Sequence, residues 1–179
     1  MLMNTRDAYG VVARLLHWLI ALLVFGMLLF GVVLANLPSG GFRSFVMAGH
    51  KSTGVLVLLL MIGRLLWRVY NPRPRDLSDI PVLNFTAYVL HVWLYVLLFL
   101  QPLSGILMSQ AYGYPVVVFG IFTLPPLIWH SPSLGGVFSQ IHEMTAMVLV
   151  LTVAVHAAAA LKHHFIDRDR TLMRMLKGR

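Results

Sequence analysis

Residues 15–36 have the sequence LLHWLIALLVFGMLLFGVVLAN, an apolar stretch that holds no Asp, Glu, Lys or Arg. An α-helix needs about 20 such residues to cross the hydrocarbon core of a bilayer. The stretch is longer than the apolar part of a cleavable signal peptide, about 7–15 residues, so we expect it to stay in the bilayer as a span. Three further stretches meet the same requirement, at residues 46–67, 85–109 and 141–161.

The composition also indicates an integral membrane protein. Hydrophobic residues make up 59% of the 179 residues, charged residues make up 11%, and the mean hydropathy is +0.81. Soluble domains carry about 25% charged residues, so this chain is short of groups to cover a water-facing surface. The net charge of +8 comes from Lys and Arg at the ends of apolar stretches. We therefore expect a lipid bilayer, and no nucleic acid, as partner.

The absence of cysteine excludes disulfides, Cys-ligated zinc and iron–sulfur clusters. We expect one domain over residues 1–179, an all-α bundle of four transmembrane helices. Residues 114–139 are apolar but interrupted by four prolines and three glycines. A fifth span would need an unbroken run of helical hydrogen bonds. We therefore predict a long loop at the membrane surface, between the third and fourth helices, with a short interfacial helix in it.

The distribution of Lys and Arg predicts the orientation of the bundle. The cations gather in the N-terminal tail, in the link between the second and third spans and in the C-terminal tail: Arg6, Arg14, Arg64, Arg68, Arg73, Arg75, Lys162, Arg168, Arg170, Arg174, Lys177 and Arg179. The opposite side has Arg43 and Lys51, and residues 111–139 hold no Lys or Arg. We predict cytoplasmic termini and a periplasmic long loop, in the inner (plasma) membrane of a bacterium.

Histidines lie within the predicted spans at two matched depths. His142 and His156 are fourteen residues apart on the fourth span, so they share a helix face about 21 Å apart along its axis. His50 matches the depth of His142, and His17 matches that of His156. Two histidines from facing helices at one depth are suitable axial ligands for a b-type haem. The spacing therefore predicts two haems b, one near each membrane surface.

Small side chains beside these histidines would leave room for flat porphyrins; they are Gly26, Gly31, Gly49, Gly54, Ala146 and residues 157–160. The alternative is that intramembrane histidines form interhelical hydrogen bonds. The chain would then be a haem-free membrane anchor or a small transporter whose histidines relay protons. Such a relay needs a continuous chain of histidines, and the grouping at two depths argues against it.

Five segments together resemble the prokaryotic cytochrome b561 family: residues 14–18 (RLLHW), 49–54 (GHKSTG), 64–68 (RLLWR), 140–143 (QIHE) and 156–164 (HAAAALKHH). The resemblance extends over nearly the whole chain and includes residues 102–105 (PLSG). The pair His142 and His156 also resembles the cytochrome b subunits of formate dehydrogenases. The family implies a four-helix bundle with two bis-histidyl haems b that exchanges electrons with membrane quinone. Its best-defined activity is superoxide oxidation, with electrons delivered to ubiquinone.

Carried onto this sequence, the resemblance implies His50 and His142 as ligands of the outer haem. It implies His17 and His156 as ligands of the inner haem. His91 has the right depth to replace His17, and we favour His17 because its neighbours Arg14 and Trp18 match the family's first ligand. His91 would then contact a haem propionate or border the quinone site.

Substrates would meet this protein at both ends. Lys51 and Arg43 are the cations on the outer side, where they would attract superoxide or pair with a haem propionate. In the family, the first histidine of the pair His163 and His164 borders the quinone site, so His163 is the candidate proton donor to quinone. His164, Arg64 and Arg68 would support it, and the alternative is that this histidine pair anchors the helix at the interface.

The leading hypothesis is an oxidoreductase that takes electrons from a periplasmic donor, with superoxide as the best candidate, and passes them to ubiquinone near the cytoplasmic side. A pure electron-transfer protein would have the same parts. The alternative within this class is a cytochrome b subunit that serves a soluble dehydrogenase or a periplasmic cytochrome. The sequence leaves the oligomeric state open.

Overall fold

The computed structural model describes residues 1–75 and 77–178. It has four long helices, α1 (Val11–Asn36), α2 (Gly41–Tyr70), α3 (Pro81–Ala111) and α4 (Pro132–Phe165), and a short helix α5 (Thr171–Leu176). Two strands, β1 (Val117–Val118) and β2 (Phe122–Thr123), pair between α3 and α4. Each long helix is long and apolar enough to cross a membrane, which confirms the prediction of four apolar helices. Arg179, one of the cations counted above, lies outside the described residues.

The helices extend past the predicted spans, most of all at the start of α4. The Ser131 hydroxyl accepts a hydrogen bond from the Leu134 N–H (3.4 Å), and Pro132 occupies the first turn, where its missing N–H is not needed. Gly135 lies in this added part, where a Cβ would come within 2.7 Å of the Tyr112 ring. The glycine therefore permits close packing of α4 on the end of α3.

The loop between α3 and α4 contains a β-hairpin, and the predicted short interfacial helix is wrong. Phe119 and Gly120 have φ angles of 49° and 70°, as in the type I′ turns that suit two-stranded hairpins. The Ile121 N–H donates to the Val118 carbonyl (2.9 Å) and closes the turn. The flanking β-branched residues favour an extended backbone over a helix. The apolar run of the loop thus forms strands.

An apolar layer separates the two ends of the bundle. Its buried members are Ile20, Val24, Val57, Met61, Leu97 and Leu149, one or two from each long helix. Leu149 lies midway along α4 between His142 and His156, so the layer lies between the two predicted histidine sites. Among the described residues, the extensive helix contacts are between α1 and α2, α2 and α3, and α3 and α4.

The N-terminal segment, the link from α2 to α3 and α5 meet at one end of the bundle. The Arg75 N–H donates to the Arg6 carbonyl (2.8 Å), and the Arg174 guanidinium donates to the Arg75 carbonyl (2.9 Å). Two side chains of α1 donate to backbone carbonyls of α5: Arg14 to that of Leu176 (2.9 Å) and Trp18 to that of Met175 (3.1 Å). The cationic segments therefore share one end, as the charge count requires.

Candidate haem sites

The first histidine pair joins α2 to α4 at the end that carries the hairpin. The ring centroids of His50 and His142 are 6.4 Å apart. A metal–imidazole bond is about 2 Å long, so two rings on opposite sides of one iron have centroids about 6–6.5 Å apart. The His50 Nδ1 atom is buried and has no hydrogen-bond partner within the described residues. These features fit two histidines that would hold one metal ion between their rings.

The ring of His142 is held by three residues of α3 that the sequence analysis did not assign to the site. Its Nδ1 lies 2.9 Å from the Gln101 carbonyl and 3.2 Å from the Ser104 hydroxyl, and its Nε2 lies 3.1 Å from the Gln101 amide nitrogen. A Cβ on Gly105 would come within 3.0 Å of the ring. The resemblance had marked residues 102–105, but neither motif nor spacing shows that they contact His142.

A cleft of about 690 Å³ opens beside His50, between α1, α2 and the hairpin. This volume falls within the range of small-molecule sites, about 300–1,000 Å³. Gly26 and Gly49, two of the predicted small residues, line the cleft, and a Cβ on either would meet nothing within 4 Å. Phe119 and Gly120 of the hairpin also line it. The cleft is apolar apart from a few groups, which suits a porphyrin.

The second histidine group lies at the opposite end and has three members. The ring centroids of His17 and His156 are 6.3 Å apart, and those of His91 and His156 are 5.4 Å apart. The first separation falls within the range for two rings across one iron, and the second is shorter. Trp18 packs edge-on against His17, with centroids 5.1 Å apart. The structure thus brings the predicted pair together and places His91 beside it.

Two arginines of α2 lie near this second group. The Arg64 Nε donates to the Tyr95 hydroxyl (3.3 Å), and the Arg68 guanidinium carbon lies 5.3 Å from the Tyr95 ring centroid. Arg64 is close enough to act electrostatically on His17, His91 and His156. This end of the bundle therefore combines three imidazoles with positive charge that could pair with carboxylates.

His163 lies at the end of α4 and is bound by acidic residues that follow the helix. Its Nδ1 is 2.6 Å from Asp169 Oδ2 and 3.2 Å from Asp167 Oδ2. Burial acts to raise the pKa of Asp169, but hydrogen bonds from Thr171 and His163 outweigh it and hold that pKa below its usual value. Asp169 is therefore ionised at neutral pH. The neighbouring His164 packs against Phe165 instead, with centroids 4.7 Å apart.

The two predicted outer cations have different surroundings. The Lys51 ammonium lies 5.6 Å from the Tyr114 ring centroid, and its residue directly follows His50 on α2. The Arg43 Nε is buried without a hydrogen-bond partner within the described residues. Lys51 therefore follows His50 in the helix, and its ammonium faces the Tyr114 ring.

Both histidine pairs connect α4 to a helix against which it does not pack extensively within the described part of the chain. The ring separations and the unpartnered Nδ1 of His50 fit haem as the group between the rings, and the glycine-lined cleft adds apolar space on the α1 side of His50. These features define a class: a helical membrane protein with a cofactor site between paired histidines.

Comparison with known proteins identifies the family. The chain matches the family model described as prokaryotic cytochrome b561 over residues 8–178. It is 38% identical to "Cytochrome b561 homolog 2" of Escherichia coli K12 over 175 residues, 97% of this chain and 93% of that protein. It is 30% identical to "Cytochrome b561 homolog 1" of the same strain over 131 residues, 73% of this chain and 74% of that protein.

A third relative, from Yersinia pestis, is named "Probable superoxide oxidase CybB"; it is 28% identical over 162 residues, 90% of this chain and 91% of that protein. The chain belongs to the prokaryotic cytochrome b561 family, which confirms the resemblance noted from its motifs. It is a multi-pass, haem b-binding electron-transfer protein of the bacterial inner membrane.

Proposed function

We propose that the protein is a dihaem cytochrome that transfers electrons from a donor on the His50–His142 side to ubiquinone on the His17–His156 side. The observation that carries this proposal is the pair of histidine sites at opposite ends of the bundle, with ring centroids 6.4 and 6.3 Å apart. A bound haem b supplies a one-electron iron centre. With one of these histidines on each face of a bound haem, substrates would meet no open metal position, so electron exchange would be outer-sphere.

We assign His17, and not His91, as the partner of His156. The 6.3 Å separation from His17 leaves room for one metal ion between the rings, whereas 5.4 Å from His91 does not. The His91 ring also hydrogen-bonds to the Ala87 backbone of its own helix. His91 is then available to contact the edge of the inner haem, where Arg64 and Arg68 would pair with its propionates.

The quinone end of the proposal is centred on His163. Reduction of ubiquinone to ubiquinol takes two protons with two electrons, so a side chain that can transfer protons must lie at the membrane surface. His163 is one third exposed there, and its Nδ1 bond to Asp169 leaves Nε2 for the substrate. Asp169 also fixes the orientation of the imidazole through this bond. His164 has no such carboxylate contact and takes the role of a neighbour that shapes the site.

The donor end fits superoxide, which is small and anionic. Two superoxide ions release two electrons and become two molecules of oxygen, which balances the reduction of one ubiquinone. The Lys51 ammonium, which lies against the Tyr114 ring at the same end of the bundle, would attract such an anion, and Arg43 adds a second positive charge on this side. The name of the Yersinia pestis relative supports this donor.

The cationic segments suggest how the protein is oriented in the membrane. We place both termini and the α2–α3 link in the cytoplasm because the cationic segments meet at that end. The hairpin loop is then periplasmic. We also propose a single domain over residues 1–179, and the family match over residues 8–178 supports it.

The test is superoxide-dependent ubiquinone reduction by the purified protein in lipid vesicles, with an enzymatic superoxide source and ubiquinone absorbance as readout. We expect reduction well above protein-free vesicles, and its loss in His142→Ala. Lys51→Gln should lower the rate several-fold at low ionic strength, by a margin that shrinks as salt is added. Lys177→Gln, an exposed lysine at the opposite end, is the matched control and should react at the wild-type rate. Quinone reduction by a reduced dye but not by superoxide would contradict the donor assignment.

A further inference from the structure

We propose that Gln101, Ser104 and Gly105 of α3 form a cradle that fixes the orientation of the His142 ring and thereby sets the properties of the outer haem alone. This inference rests on the proposed role of His142 as a ligand. It adds three positioning residues on a helix that supplies none of the four proposed ligands.

The contacts determine which nitrogen of His142 is free. The Gln101 carbonyl, 2.9 Å from Nδ1, is an acceptor only, so Nδ1 carries the proton and Nε2 is the nitrogen with a free electron pair. The Ser104 hydroxyl donates to the same carbonyl (2.9 Å) and lies 3.2 Å from Nδ1. A partner on the second ring nitrogen commonly fixes the tautomer and raises the basicity of a metal-bound histidine.

The Gln101 amide adds a contact at the proposed metal-binding atom. Its Nε2 lies 3.1 Å from His142 Nε2, and its own Oε1 is buried without a hydrogen-bond partner within the described residues. The Gln101 amide therefore donates a hydrogen bond to the unprotonated Nε2 of His142 and helps to orient the ring. A metal at His142 Nε2 would replace this amide contact, and the Gln101 carbonyl and the Ser104 hydroxyl would then hold the ring from its Nδ1 side.

Gly105 supplies the space for this arrangement. A Cβ there would lie 3.0 Å from His142 Cε1 and 3.2 Å from Nδ1, closer than ordinary van der Waals contact. Ser104 is 2% exposed, so the packing around it leaves the ring no easy alternative position. The ring therefore depends on the absence of a side chain at residue 105.

The four proposed ligands differ in the hydrogen bonds that hold their rings. The Nδ1 of His50, on the other side of the same site, is buried without a partner among the described residues. The rings of His17 and His156 have aromatic and cationic neighbours, and no side-chain or carbonyl hydrogen bond to them is seen within the described chain. A change in the cradle should therefore affect one haem and leave the other as an internal reference.

The experiment compares Gly105→Ala with Gly63→Ala, because a Cβ at Gly63 would meet nothing within 4 Å. Haem content, the low-spin EPR spectrum and the midpoint potentials of both haems are the readouts, and none depends on activity. We expect Gly105→Ala to alter the EPR signal and potential of the outer haem, or to lose that haem, while the inner haem is unchanged. Gly63→Ala should match the wild type.

Ser104→Ala is a second test with a smaller structural change, because removal of the hydroxyl leaves space and forces no neighbouring side chain to move. Its matched control is Ser109→Ala, since Ser109 is also buried on α3 but donates to the Tyr114 carbonyl (3.0 Å). We expect a shift in the outer haem potential in Ser104→Ala only. Wild-type spectra and potentials in both Gly105→Ala and Ser104→Ala, or equal changes in both haems, would overturn the proposal.

His142→Ala separates this inference from the ligand assignment. If His142 is a ligand and the cradle is irrelevant, His142→Ala loses the outer haem while Gly105→Ala and Ser104→Ala behave as wild type. If His142→Ala keeps both haems, the ligand assignment itself is wrong. If His142→Ala loses the outer haem and the cradle variants perturb only that haem, both proposals hold.

Discussion

The two histidine sites have nearly the same ring separation but differ in the groups that contact their rings. At the outer site, neutral polar groups of α3 hold His142. At the inner site, Arg64 and Arg68 place positive charge near the rings, and a third histidine is present. Hydrogen bonds and nearby charge are among the means by which proteins tune haem potentials. Equal ligand pairs therefore need not give equal redox centres.

The expected direction of the difference follows from electrostatics. Positive charge favours the reduced iron, which carries one positive charge fewer, so Arg64 and Arg68 would raise the potential of a haem held by His17 and His156. A hydrogen bond from Nδ1–H to a carbonyl makes the imidazole a stronger donor and favours the oxidised iron at the outer site. Both effects favour electron flow from the outer to the inner site, which agrees with a quinone acceptor at the inner end.

The largest expected effect separates His17 from His91. His17→Ala should remove one haem per chain, because His156 then has no partner at metal-bridging distance. His91→Ala should keep both haems and change only the inner haem's spectrum slightly, and it serves as the matched control from the same cluster. Haem content by pyridine haemochrome against protein concentration is the measurement. Loss of a haem in His91→Ala, with retention in His17→Ala, would reverse the assignment.

An intermediate effect is expected from the carboxylate behind His163. Asp169→Asn should lower kcat for quinone reduction on the order of tenfold or more, because positioned proton transfer contributes at least about 10²-fold in many enzymes. Because the pKa of Asp169 is lowered, its carboxylate is charged at neutral pH. This charge is lost only as the pH falls through that pKa. The defect should therefore be the same throughout the neutral range, with both haem spectra unchanged.

Asp167→Asn is the control for this change. Asp167 also lies near His163 Nδ1, at 3.2 Å, but it pairs with Lys162 at 2.7 Å. We expect Asp167→Asn to lose much less activity than Asp169→Asn. Equal losses in the two variants, or none in either, would show that Asp169 does not act through His163.

The smallest expected effect tests the electrostatic contrast itself. Arg64→Gln should lower the midpoint potential of the inner haem by about 50–100 mV, as one charge about 10 Å away in a medium of effective dielectric constant near 20 would do. The outer haem should not shift. Potentiometric titration of the variant, with Arg43→Gln as the control at the opposite end, decides this point. A shift in both haems would mean that the change acts on the whole fold.

Sequence patterns were sufficient for the four helices, because each has an apolar run that only a bilayer can accommodate. They also predicted that His50 lies near His142 and His17 near His156, because the rise per residue of a helix gives the depth of each histidine in the membrane. The prediction failed in the loop, where apolar residues form a hairpin. Its position depends on Ser52 of α2, whose hydroxyl accepts a hydrogen bond from the Phe119 N–H (2.9 Å). No local pattern in the loop reveals a partner 67 residues away.

The cradle of His142 was missed for a related reason. Gln101, Ser104 and Gly105 carry no charge, and polar or small residues in membrane helices commonly mediate helix packing. Their contact with His142 depends on the rotation of α3 against α4, which the apolar pattern of α3 does not specify. Asp169 was missed because it follows the helix, in a turn whose geometry the basic tail does not reveal.

The central claim is that two haems are held by two separate histidine pairs. The most direct measurement is a reduced-minus-oxidised visible spectrum with a haem-to-protein ratio for detergent-purified wild type, His50→Ala and His156→Ala. We expect about two haems per wild-type chain and about one in each variant, with different spectra because a different haem remains. A folded wild type that binds one haem or none when haem is supplied, or variants that both retain two, would contradict it.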